Sequence, residues 1–593
     1  MNSVFSLILL WGTTSVLLVN GDGKEWWRHA NIYEPYLRSF KDSDKNGIGD
    51  IKGLISKLDY LVEIGVNTIH LPPFHPSSGV DGGYDITNFY QVDPVYGEMQ
   101  PMQDDFYHLT EALKEKNIYL LMDLVINSTS SKHEWFENSK LRKKVNGIDY
   151  TDWFIWADPK GIDKDGKPIP PNNWFKLLDY HLPGSAWTYV EERKQFYYHA
   201  FMEEQPDLNL RNAAVKEEIK KIITFWLDKG VSGFILGAPM LFMEDPQLRD
   251  NPEVKKDTPT MMIYDALPQT ANHPDTFPFI AELNRFIRQY DREHGRADTP
   301  TPMIGEIWGS VENQMKYFDA PDGHPMIEMP INYIISALRE YLNAGKLIAL
   351  LRTWTDKLPE GKASNWALGN HDSLGRIAHW FNEEYNYILL ALVSMLPGAS
   401  TVYYGEELGM LINKAFPANT DPTNRPWVRT PMQWDDSKNA GFTSAERPWT
   451  PAHPNYWRVN VSAQKKEKNS LLHYFTKLMQ LRQTDAGKYG DLKYHTLSEW
   501  VMAFSRTHED TKTSYIVLLN VGSYFETIDL RNEIVKSDEE SLNVLISSPN
   551  SLYEKGQAIK SSEYPLQLRP HSVIIFQHLR NGERPIAGDI PIE

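Results

Sequence analysis

Residues 118–125 read IYLLMDLV and decide the fold. This almost wholly apolar run is typical of a strand that is buried on both faces of a sheet. Similar runs occur at residues 66–71 (VNTIHL) and 303–306 (MIGE), and amphipathic helical patterns cover residues 101–116 and 215–229. Strands that alternate with helices form a parallel sheet, and repetition of this pattern from about residue 30 to about residue 480 predicts a (β/α)8 barrel.

Two segments depart from this alternation. Residues 128–204 follow the third predicted strand and are rich in Trp, Tyr, Pro and Asn, which indicates an insertion. Beyond about residue 485 the chain consists of short apolar runs separated by turns, such as residues 515–519 and 572–576, which predicts a small antiparallel β domain. The predicted fold class is therefore α/β, a (β/α)8 TIM barrel with an inserted subdomain after strand 3 and a C-terminal antiparallel β domain. The expected boundaries are residues 22–127 and 205–484 for the barrel, 128–204 for the insertion and 485–593 for the β domain.

Composition restricts the possible partners. The chain has 593 residues and a net charge of −17, from 61 Lys+Arg against 78 Asp+Glu. Short basic runs such as residues 140–144 do not form the basic surface that phosphate backbones require, so we expect no nucleic-acid partner. The sequence contains no cysteine, which excludes a disulfide link to a partner.

The N-terminus predicts secretion. Residues 4–18 form an apolar run, and Val19, Asn20 and Gly21 follow before the chain becomes polar. This pattern indicates a secretory signal peptide over residues 1–21 and an extracellular location. The alternative is an uncleaved membrane anchor, although the run is short for a span and has no basic flank. No later stretch is long and apolar enough to cross a bilayer, so we expect no transmembrane span after cleavage.

Six sequence motifs occur in an order that identifies a family resemblance. The chain resembles the α-amylase superfamily, glycoside hydrolase family 13, and is most similar to α-glucosidases of the insect maltase and oligo-1,6-glucosidase type. The resemblance covers nearly all of the chain after residue 21, and it implies the same three-domain layout. The motifs are FKDSDKNGIGD at residues 40–50, GYD at 83–85, QPDLN at 205–209, GNHD at 369–372, YYGEE at 403–407 and RTPMQWD at 429–435.

The resemblance assigns roles to individual residues. Retaining cleavage of a glucosidic bond uses two carboxyl groups about 5 Å apart, one as nucleophile and one as acid and base. Glu306 matches the acid/base of the family, and Asp372 matches the carboxylate that stabilises the transition state. Five further positions match residues that contact or organise the sugar, namely Tyr84, Asp85, Asp123, His371 and Arg376.

Three positions depart from the family pattern in the same pocket. Strand four of the family ends in Arg, an apolar residue and the nucleophilic Asp, whereas this chain has Ile235, Leu236 and Gly237. Ser128 replaces the sugar-binding His that follows the Asn at the end of strand three. A glycine cannot form a covalent glycosyl intermediate, and loss of a nucleophile alone costs on the order of a million-fold in turnover. His70 also replaces a usual Trp of strand two.

These departures predict a secreted, catalytically inactive, maltase-like protein that binds a saccharide, such as an α-glucoside, or a protein ligand. Fold alone does not supply the activity. One alternative is an active α-glucosidase that uses a displaced carboxylate, for which Glu244 and Asp245 are the nearest candidates in sequence. Another is a transporter-associated heavy subunit, a class that shares this fold without hydrolysis but carries a cytoplasmic tail, a membrane span and a cysteine for its light chain.

An acidic loop near the N-terminus predicts a structural cation. Oxygen-bearing residues alternate around a glycine turn at Gly47, a spacing that suits Ca²⁺ or Mg²⁺, and the family carries a cation at this loop. The alternative is an acidic turn closed by side-chain hydrogen bonds to its own backbone. The predicted ligands are Asp42, Asp44, Asn46, the backbone oxygen of Ile48, and Asp50.

Two sequons could accept an N-linked glycan, at Asn127 and at Asn460. Asn127 lies at the end of the third predicted strand and faces the pocket, so we expect it to be unmodified. Asn460 is therefore the predicted glycosylation site.

Overall fold

The computed structural model describes most of the chain. The predicted signal peptide at residues 1–21 lies outside the described residues, as does the end of the chain after residue 579. The described residues are 23–177, 184–255, 258–337, 343–373, 375–381, 383–415, 425–531, 533–537, 540–560 and 563–579.

Eight parallel strands close into a barrel, which confirms the predicted (β/α)8 fold. Neighbouring strands follow chain order around the barrel, and the last strand pairs with the first. The strands are β1 (Asn31–Glu34), β2 (Thr68–Leu71), β3 (Tyr119–Leu124), β4 (Gly233–Gly237), β5 (Met303–Glu306), β6 (Met329–Asn332), β7 (Asn365–Ala367) and β8 (Ala399–Tyr403).

Apolar side chains fill the barrel interior and separate the strands from the surrounding helices. Inside the barrel, Ile235 packs with Leu121, Ile304 and Met329 in one buried cluster. Outside it, helices place apolar faces against the strands, and polar side chains cap several of their N-termini, such as Asn212 on helix Ala213–Asp228. The α-helices are Leu37–Phe40, Ile51–Ile55, Leu58–Glu63, Asp105–Glu115, Glu134–Lys140, Ala213–Asp228, Thr276–Glu293, Val311–Met315, Ala344–Thr355, Ile377–Trp380, Tyr385–Met395, Val461–Lys466, Leu471–Arg482 and Asp485–Tyr489.

The insertion after β3 forms a small β-rich layer beside the barrel. Its largest sheet has three antiparallel strands, Trp187–Val190, Gln195–Tyr198 and Trp156–Ala157, in that order. Trp174 ties the insertion to the barrel, because its ring N–H donates to the backbone oxygen of Arg249 at 2.8 Å. The short paired strands elsewhere are Met99–Gln100 with Gln103–Asp104, Lys144–Val145 with Ile148–Asp149, and Gly161–Ile162 with Pro168–Ile169.

The C-terminal part contains the antiparallel sheet that the sequence predicted. Six strands form it, and a separate pair lies beside it. Apolar residues of both sheets, including Ile516, Leu542 and Phe576, form a core of their own. In spatial order the strands are Asp491–Thr496, Val501–His508, Thr513–Asn520, Val573–Leu579, Ser541–Ser547 and Ala558–Lys560, and the pair is Glu526–Ile528 with Leu566–Leu568.

Within the part of the chain that the structure describes, we find no helix with the length and apolar character of a membrane span.

Candidate functional site

The C-terminal ends of the barrel strands and the insertion enclose a narrow pocket. Active sites of such barrels lie at this end. The cavity measures about 60 Å³, well below the roughly 300–1,000 Å³ of ordinary small-molecule sites. The described residues that line it are Asp81, Tyr84, Val125, Asn127, Ser128, Phe201, Gln205, Gly237, Ala238, Glu306, Trp308, Asp372 and Arg425.

Glu306 ends β5 and presents its carboxyl group to the pocket. The side-chain amide of Asn370 donates to Oε1 at 2.7 Å, and the Tyr333 hydroxyl donates to the same oxygen at 3.2 Å. Burial, reinforced by the negative charge of Asp372, raises the pKa of Glu306 from 4.5 to about 7. The group is therefore substantially protonated at neutral pH, as a general acid must be.

Asp372 is fixed by two arginines and remains ionised. Arg425 Nη1 donates to Oδ1 at 3.1 Å, and Arg429 Nη2 donates to the same oxygen at 2.5 Å. Burial alone would raise the pKa of Asp372, but the positive charges of His371, Arg425 and Arg429 outweigh it and hold the pKa well below its usual range. Arg425 also pairs with Asp81, so one guanidinium links two carboxylates of the pocket wall.

Gly237 leaves an open space opposite Glu306. The two residues are register partners on β4 and β5. A Cβ built on Gly237 would meet no described atom within 4 Å apart from its chain neighbours, so the space next to its Cα is open. Ile235 and Leu236 do not line the pocket, because Ile235 points into the barrel interior and Leu236 packs in the core outside it.

The carboxylates proposed as displaced nucleophiles are engaged elsewhere. Glu244 pairs with Arg211 at 3.0 Å, and Asp245 pairs with Arg249 at 2.7 Å. Neither carboxylate is among the described residues of the pocket lining. Burial raises the pKa of Glu244 to about 7 despite the arginine, which further weakens it as a nucleophile.

Directly beneath the pocket, two histidines and two carboxylates form a buried charge cluster. His70 contacts Asp123 at 2.6 Å and Glu34 at 3.4 Å, and His371 contacts Glu34 at 2.7 Å. Burial alone would lower the pKa of His70, but Asp123 and Glu34 raise it to about 10, so the ring is an imidazolium. The Tyr84 hydroxyl joins the cluster to the pocket by donating to Asp123 at 3.1 Å and accepting from His371 at 2.8 Å.

His70 places a positive charge next to Asp123, beside the strand-four position where the family carries an arginine. Ile235 is the register partner of Asp123, so an arginine at this position would lie beside that carboxylate. With isoleucine there, the imidazolium of His70 supplies the positive charge that Asp123 needs in an apolar environment. We infer that the two departures from the family pattern, Trp to His on β2 and Arg to Ile on β4, are linked through Asp123.

Two of the assigned substrate-contacting residues, Asp85 and Arg376, have other roles in the structure. Asp85 turns away from the pocket, because its carboxylate accepts hydrogen bonds from Ser77 at 2.6 Å and from Ser78. Arg376 is fully buried and donates to the backbone oxygens of Tyr404 at 2.5 Å and Val428 at 2.9 Å. These two assignments are corrected on that ground.

His371 and Asp123 lie one layer deeper than expected. His371 already uses both ring nitrogens, on Glu34 and on Tyr84, so it has none left for a sugar hydroxyl. Asp123 likewise bonds His70 and Tyr84. Both residues therefore orient Tyr84, which does line the pocket as the sequence predicted.

The sequence did not predict the two arginines that bind Asp372, Arg425 and Arg429. Arg425 lies outside all six motifs, so the sequence carried no signal for it. Arg429 is the first residue of the motif RTPMQWD, and its place in that motif could have prompted the assignment. Asp81 stands four residues before Asp85, and it is Asp81 that lines the pocket.

The acidic loop has a ligand set that suits a hard cation. Carboxylate oxygens of Asp42, Asp44 and Asp50 lie within 4.8 Å of one another. The same oxygens also accept hydrogen bonds within the loop, such as Ser43 N to Asp50 at 2.7 Å and Lys45 N to Asp42 at 2.8 Å. Each carboxylate oxygen can accept a second interaction, so these bonds leave the three residues able to hold Ca²⁺ or Mg²⁺.

Asn460 is not presented for glycosylation. The residue is only 1% exposed and caps helix Val461–Lys466. Its amide nitrogen donates to the backbone oxygen of Tyr456 at 2.8 Å, and its amide oxygen accepts from Ala463 N at 2.7 Å. In this conformation the amide nitrogen is not accessible, so a glycan at Asn460 would require the side chain to leave its capping position; the modification stays a prediction.

Comparison with known proteins agrees with this fold. The family model for the alpha amylase catalytic domain matches residues 35–490. Maltase 1 of Drosophila virilis is 34% identical over 94% of this chain and 87% of its own length. The amino acid transporter heavy chain SLC3A1 of Mus musculus is 33% identical over 95% of this chain and 80% of its own length.

A solved structure extends the similarity to three dimensions. The alpha-glucosyl transfer enzyme XgtA superposes with a TM-score of 0.78 at 29% identity, covering 93% of this chain and 99% of that one. The barrel, the retained Glu306 and Asp372, and these matches lead to one conclusion. The chain belongs to the alpha-amylase catalytic-domain family, glycoside hydrolase family 13, with maltases and α-glucosidases among its relatives.

Proposed function

We propose that this protein is a secreted, non-hydrolytic member of its family that binds the terminal glucosyl unit of an α-glucoside in the barrel pocket. Such a protein has kept the family's general acid, Glu306, and has lost the nucleophile, whose position is Gly237. The observation that carries it is the open space at Gly237, across from an intact Glu306.

No carboxylate among the described pocket residues is placed to take over the attack. The lining contains Asp81, Glu306 and Asp372. Asp81 and Asp372 are both bound to Arg425, and ion pairing reduces the nucleophilicity of a carboxylate. Glu306 carries the raised pKa of an acid. Cleavage with retention needs a second free carboxylate about 5 Å from the acid, and inversion needs a base that can hold water farther away.

The polar groups that remain can still bind a sugar. Protonated Glu306 offers a donor, ionised Asp372 offers acceptors, and Tyr84 offers a hydroxyl oriented by the buried cluster. Phe201 and Trp308 supply aromatic walls. Aromatic faces combined with a few convergent hydrogen-bonding groups are typical of small-ligand sites.

We expect this binding to be weaker than that of an active relative. Ser128 cannot reproduce the hydrogen bonds of the family histidine, and each lost bond to a sugar hydroxyl weakens recognition. The cavity of about 60 Å³ has room for only about two water molecules, so the pocket must widen to admit one glucosyl unit. The remainder of a disaccharide would extend toward solvent.

Titration calorimetry with maltose, sucrose and trehalose tests the proposal, together with a hydrolysis assay on 4-nitrophenyl α-glucoside. We expect saturable binding of at least one sugar and no turnover above that of Glu306→Gln. Asp372→Asn should lose the binding, whereas Asp298→Asn, an exposed carboxylate remote in sequence, should keep it. Turnover that depends on Glu306 would refute the loss of hydrolysis, and failure of all three sugars to bind would refute the saccharide ligand.

The second candidate function is a scaffold for a protein partner. Two observations favour it, namely the narrow pocket and the match to transporter heavy chains over almost the whole chain. In that case the sugars would not bind, and the protein would form a stoichiometric complex with a membrane or secreted partner. Co-purification followed by cross-linking at the C-terminal ends of the barrel strands distinguishes the two candidates.

A structural Ca²⁺ or Mg²⁺ forms the last part of the proposal. Asp42, Asp44 and Asp50 would hold it with the side chain of Asn46 and the backbone oxygen of Ile48. The cation would neutralise converging negative charge and tie the loop after β1 to the barrel. In a chain without disulfides, such a tie adds stability that the core alone does not supply.

A further inference from the structure

The barrel pocket keeps the groups that serve the second half of retaining glucoside cleavage. In that step the acid has become a base, and it takes the proton of an incoming hydroxyl group that attacks C1 of a β-linked glucosyl unit. The nucleophile is only the leaving group of this step. A glucosyl donor that brings its own β-linked leaving group therefore needs a base such as Glu306 and a stabilising charge such as Asp372, but no carboxylate at position 237.

Gly237 leaves room for such a leaving group. It is the residue of β4 that lines the pocket, and it is the register partner of Glu306 on β5. The atoms that glycine lacks relative to aspartate, a methylene and a carboxylate, are those of an acetate ion. Because the nucleophile and the acid of a retaining enzyme flank the sugar on opposite faces, a β-linked acetate on C1 would extend toward the open space at Gly237.

Glu306 retains one carboxyl oxygen for the acceptor. Asn370 and Tyr333 both donate to Oε1, and no hydrogen bond from a described residue to Oε2 is found. The pKa of about 7 leaves the group half ionised at neutral pH and mostly ionised at slightly higher pH. Glu306 can therefore take the proton of a hydroxyl group that approaches Oε2.

Asp372 supplies the stabilising charge on the wall of the pocket. Arg425 and Arg429 both bind Oδ1, whereas the nearest charged neighbour of Oδ2 is His371 Nε2 at 3.4 Å. The side chain is 25% exposed, so the carboxylate opens to the pocket. Positive charge develops on the sugar ring as the leaving group departs, and an ionised carboxylate at this position stabilises it.

We propose that the pocket transfers glucose from the β-glucosyl ester of a short carboxylic acid, such as acetic acid, to a hydroxyl group of an acceptor sugar, and that the product is an α-glucoside. This transfer rests on the glucosyl binding proposed above and requires the same widening of the pocket. The carboxylate of the donor would stand where the family's nucleophile stands in the covalent intermediate.

The step balances without any further reactant. The bond between C1 and the ester oxygen breaks, and the carboxylate leaves with the electron pair into the space at Gly237. The acceptor oxygen forms the new bond to C1 from the opposite face, and its proton passes to Glu306 and then to solvent. No atom changes its oxidation state overall.

The test incubates the full-length protein with 1-O-acetyl-β-glucose as donor and 4-nitrophenyl α-glucoside as acceptor. We expect an ultraviolet-absorbing disaccharide glycoside in liquid chromatography, with an α linkage in its proton NMR spectrum. Its rate of formation should rise as pH increases toward about 7 and above, because Glu306 must be ionised to act as the base. The matched donor 1-O-acetyl-α-glucose should give no product, since its acetate lies on the side of Glu306.

Two variants connect the transfer to the pocket. Glu306→Gln removes the base and should slow product formation at least a hundredfold. Gly237→Val places a branched apolar group where the acetate would lie and should slow it at least tenfold, whereas Gly237→Ala adds a single methyl group and should lose less. Asp298→Asn changes an exposed carboxylate outside the pocket lining and should have no effect.

The transfer is overturned if the native protein forms no more α-linked product than Glu306→Gln, or if folded Gly237→Val forms it as fast as the native protein. Calorimetry with maltose, sucrose and trehalose separates this failure from that of the proposed function. Binding of a sugar without product overturns the transfer alone. Absence of both binding and product overturns the sugar pocket as well.

Discussion

Replacing Gly237 with aspartate should give this protein measurable α-glucosidase activity. The position faces Glu306 across two paired strands, and the space above its Cα is open. The Cβ of an aspartate therefore meets no neighbour there, and its carboxyl group would extend into the pocket beside Glu306. Restoration of the missing group tests whether the loss of hydrolysis resides in this one side chain or in the whole pocket.

The expected gain follows from the groups that are present and absent. A nucleophile contributes about a million-fold to turnover in enzymes whose catalytic groups act together. Two supporting groups are still missing, the arginine at position 235 and the histidine at position 128. A hydrogen bond to a charged group contributes about 1.5–3 kcal/mol. Because about 1.4 kcal/mol corresponds to a tenfold change in rate, each missing group lowers turnover by up to roughly a hundredfold. The single replacement should therefore leave a gain of about a hundredfold over the native chain.

Release of 4-nitrophenol from 4-nitrophenyl α-glucoside measures the effect as kcat/KM. Gly237→Asn is the matched control, because it has nearly the same size and cannot form a stable ester. Adding Glu306→Gln to Gly237→Asp should abolish the gain, since the acid is then lost. If a folded Gly237→Asp protein is no more active than Gly237→Asn, the pocket excludes substrate, and the reasoning from a missing nucleophile is refuted.

Four further outcomes are expected. Ile235→Arg should destabilise the fold by about 3–5 kcal/mol in urea denaturation, because it buries a second cation beside the imidazolium of His70. Adding His70→Trp to this variant should recover part of the lost stability, and additive effects of the two substitutions would contradict the link between these positions. The raised pKa of Glu306 makes its ionisation destabilising, so the stability that this group contributes is fully present below pH 4.5 and is lost as pH rises through about 7. Between these pH values the free energy of unfolding of Glu306→Gln should rise by up to roughly 3 kcal/mol relative to the native chain, and a pH-independent difference would contradict the raised pKa. EDTA should lower Tm by about 2 °C or more, and added calcium should restore it. Asp44→Ala should remove this effect of EDTA on Tm, and an equal effect in the variant would place the cation elsewhere. Secreted protein treated with N-glycosidase should show no mass change attributable to Asn460, and a glycopeptide spanning it would overturn the buried-cap argument.

The barrel could be predicted because its signal is local and repeated. Apolar runs such as residues 118–125 and 303–306 alternate with amphipathic helices, and few architectures accommodate that pattern. Glu306 and Gly237 could be placed for the same reason, since both end barrel strands. A side chain at a strand end points to the pocket by the geometry of the barrel itself.

The loops were harder to predict because side-chain direction there depends on turn geometry. Asp81 and Asp85 are both acidic and lie in one short turn, in which Gly82 and Gly83 have positive φ angles of 59° and 111°. Those angles reverse the chain, so that Asp81 faces Arg425 and Asp85 faces Ser77. No periodic pattern in the sequence distinguishes the two orientations.

Long-range ion pairs could not be predicted from the sequence either. Arg425 reaches Asp372 across 53 positions and Asp81 across 344 positions. Arg376 is much nearer to Asp372 in sequence, which made it the natural assignment. The fold instead buries Arg376 against the rings of Tyr403 and Tyr404, where its guanidinium donates to the backbone oxygens of Tyr404 and Val428.

The most direct test of the central claim is the intact mass of the native protein after incubation with 5-fluoro-α-glucosyl fluoride, a reagent that traps the covalent glycosyl intermediate of retaining α-glucosidases. A chain with glycine at position 237, and with its other pocket carboxylates protonated or paired with arginine, should keep its unmodified mass. One glucosyl adduct per chain, mapped to any carboxylate of the pocket, would contradict the account.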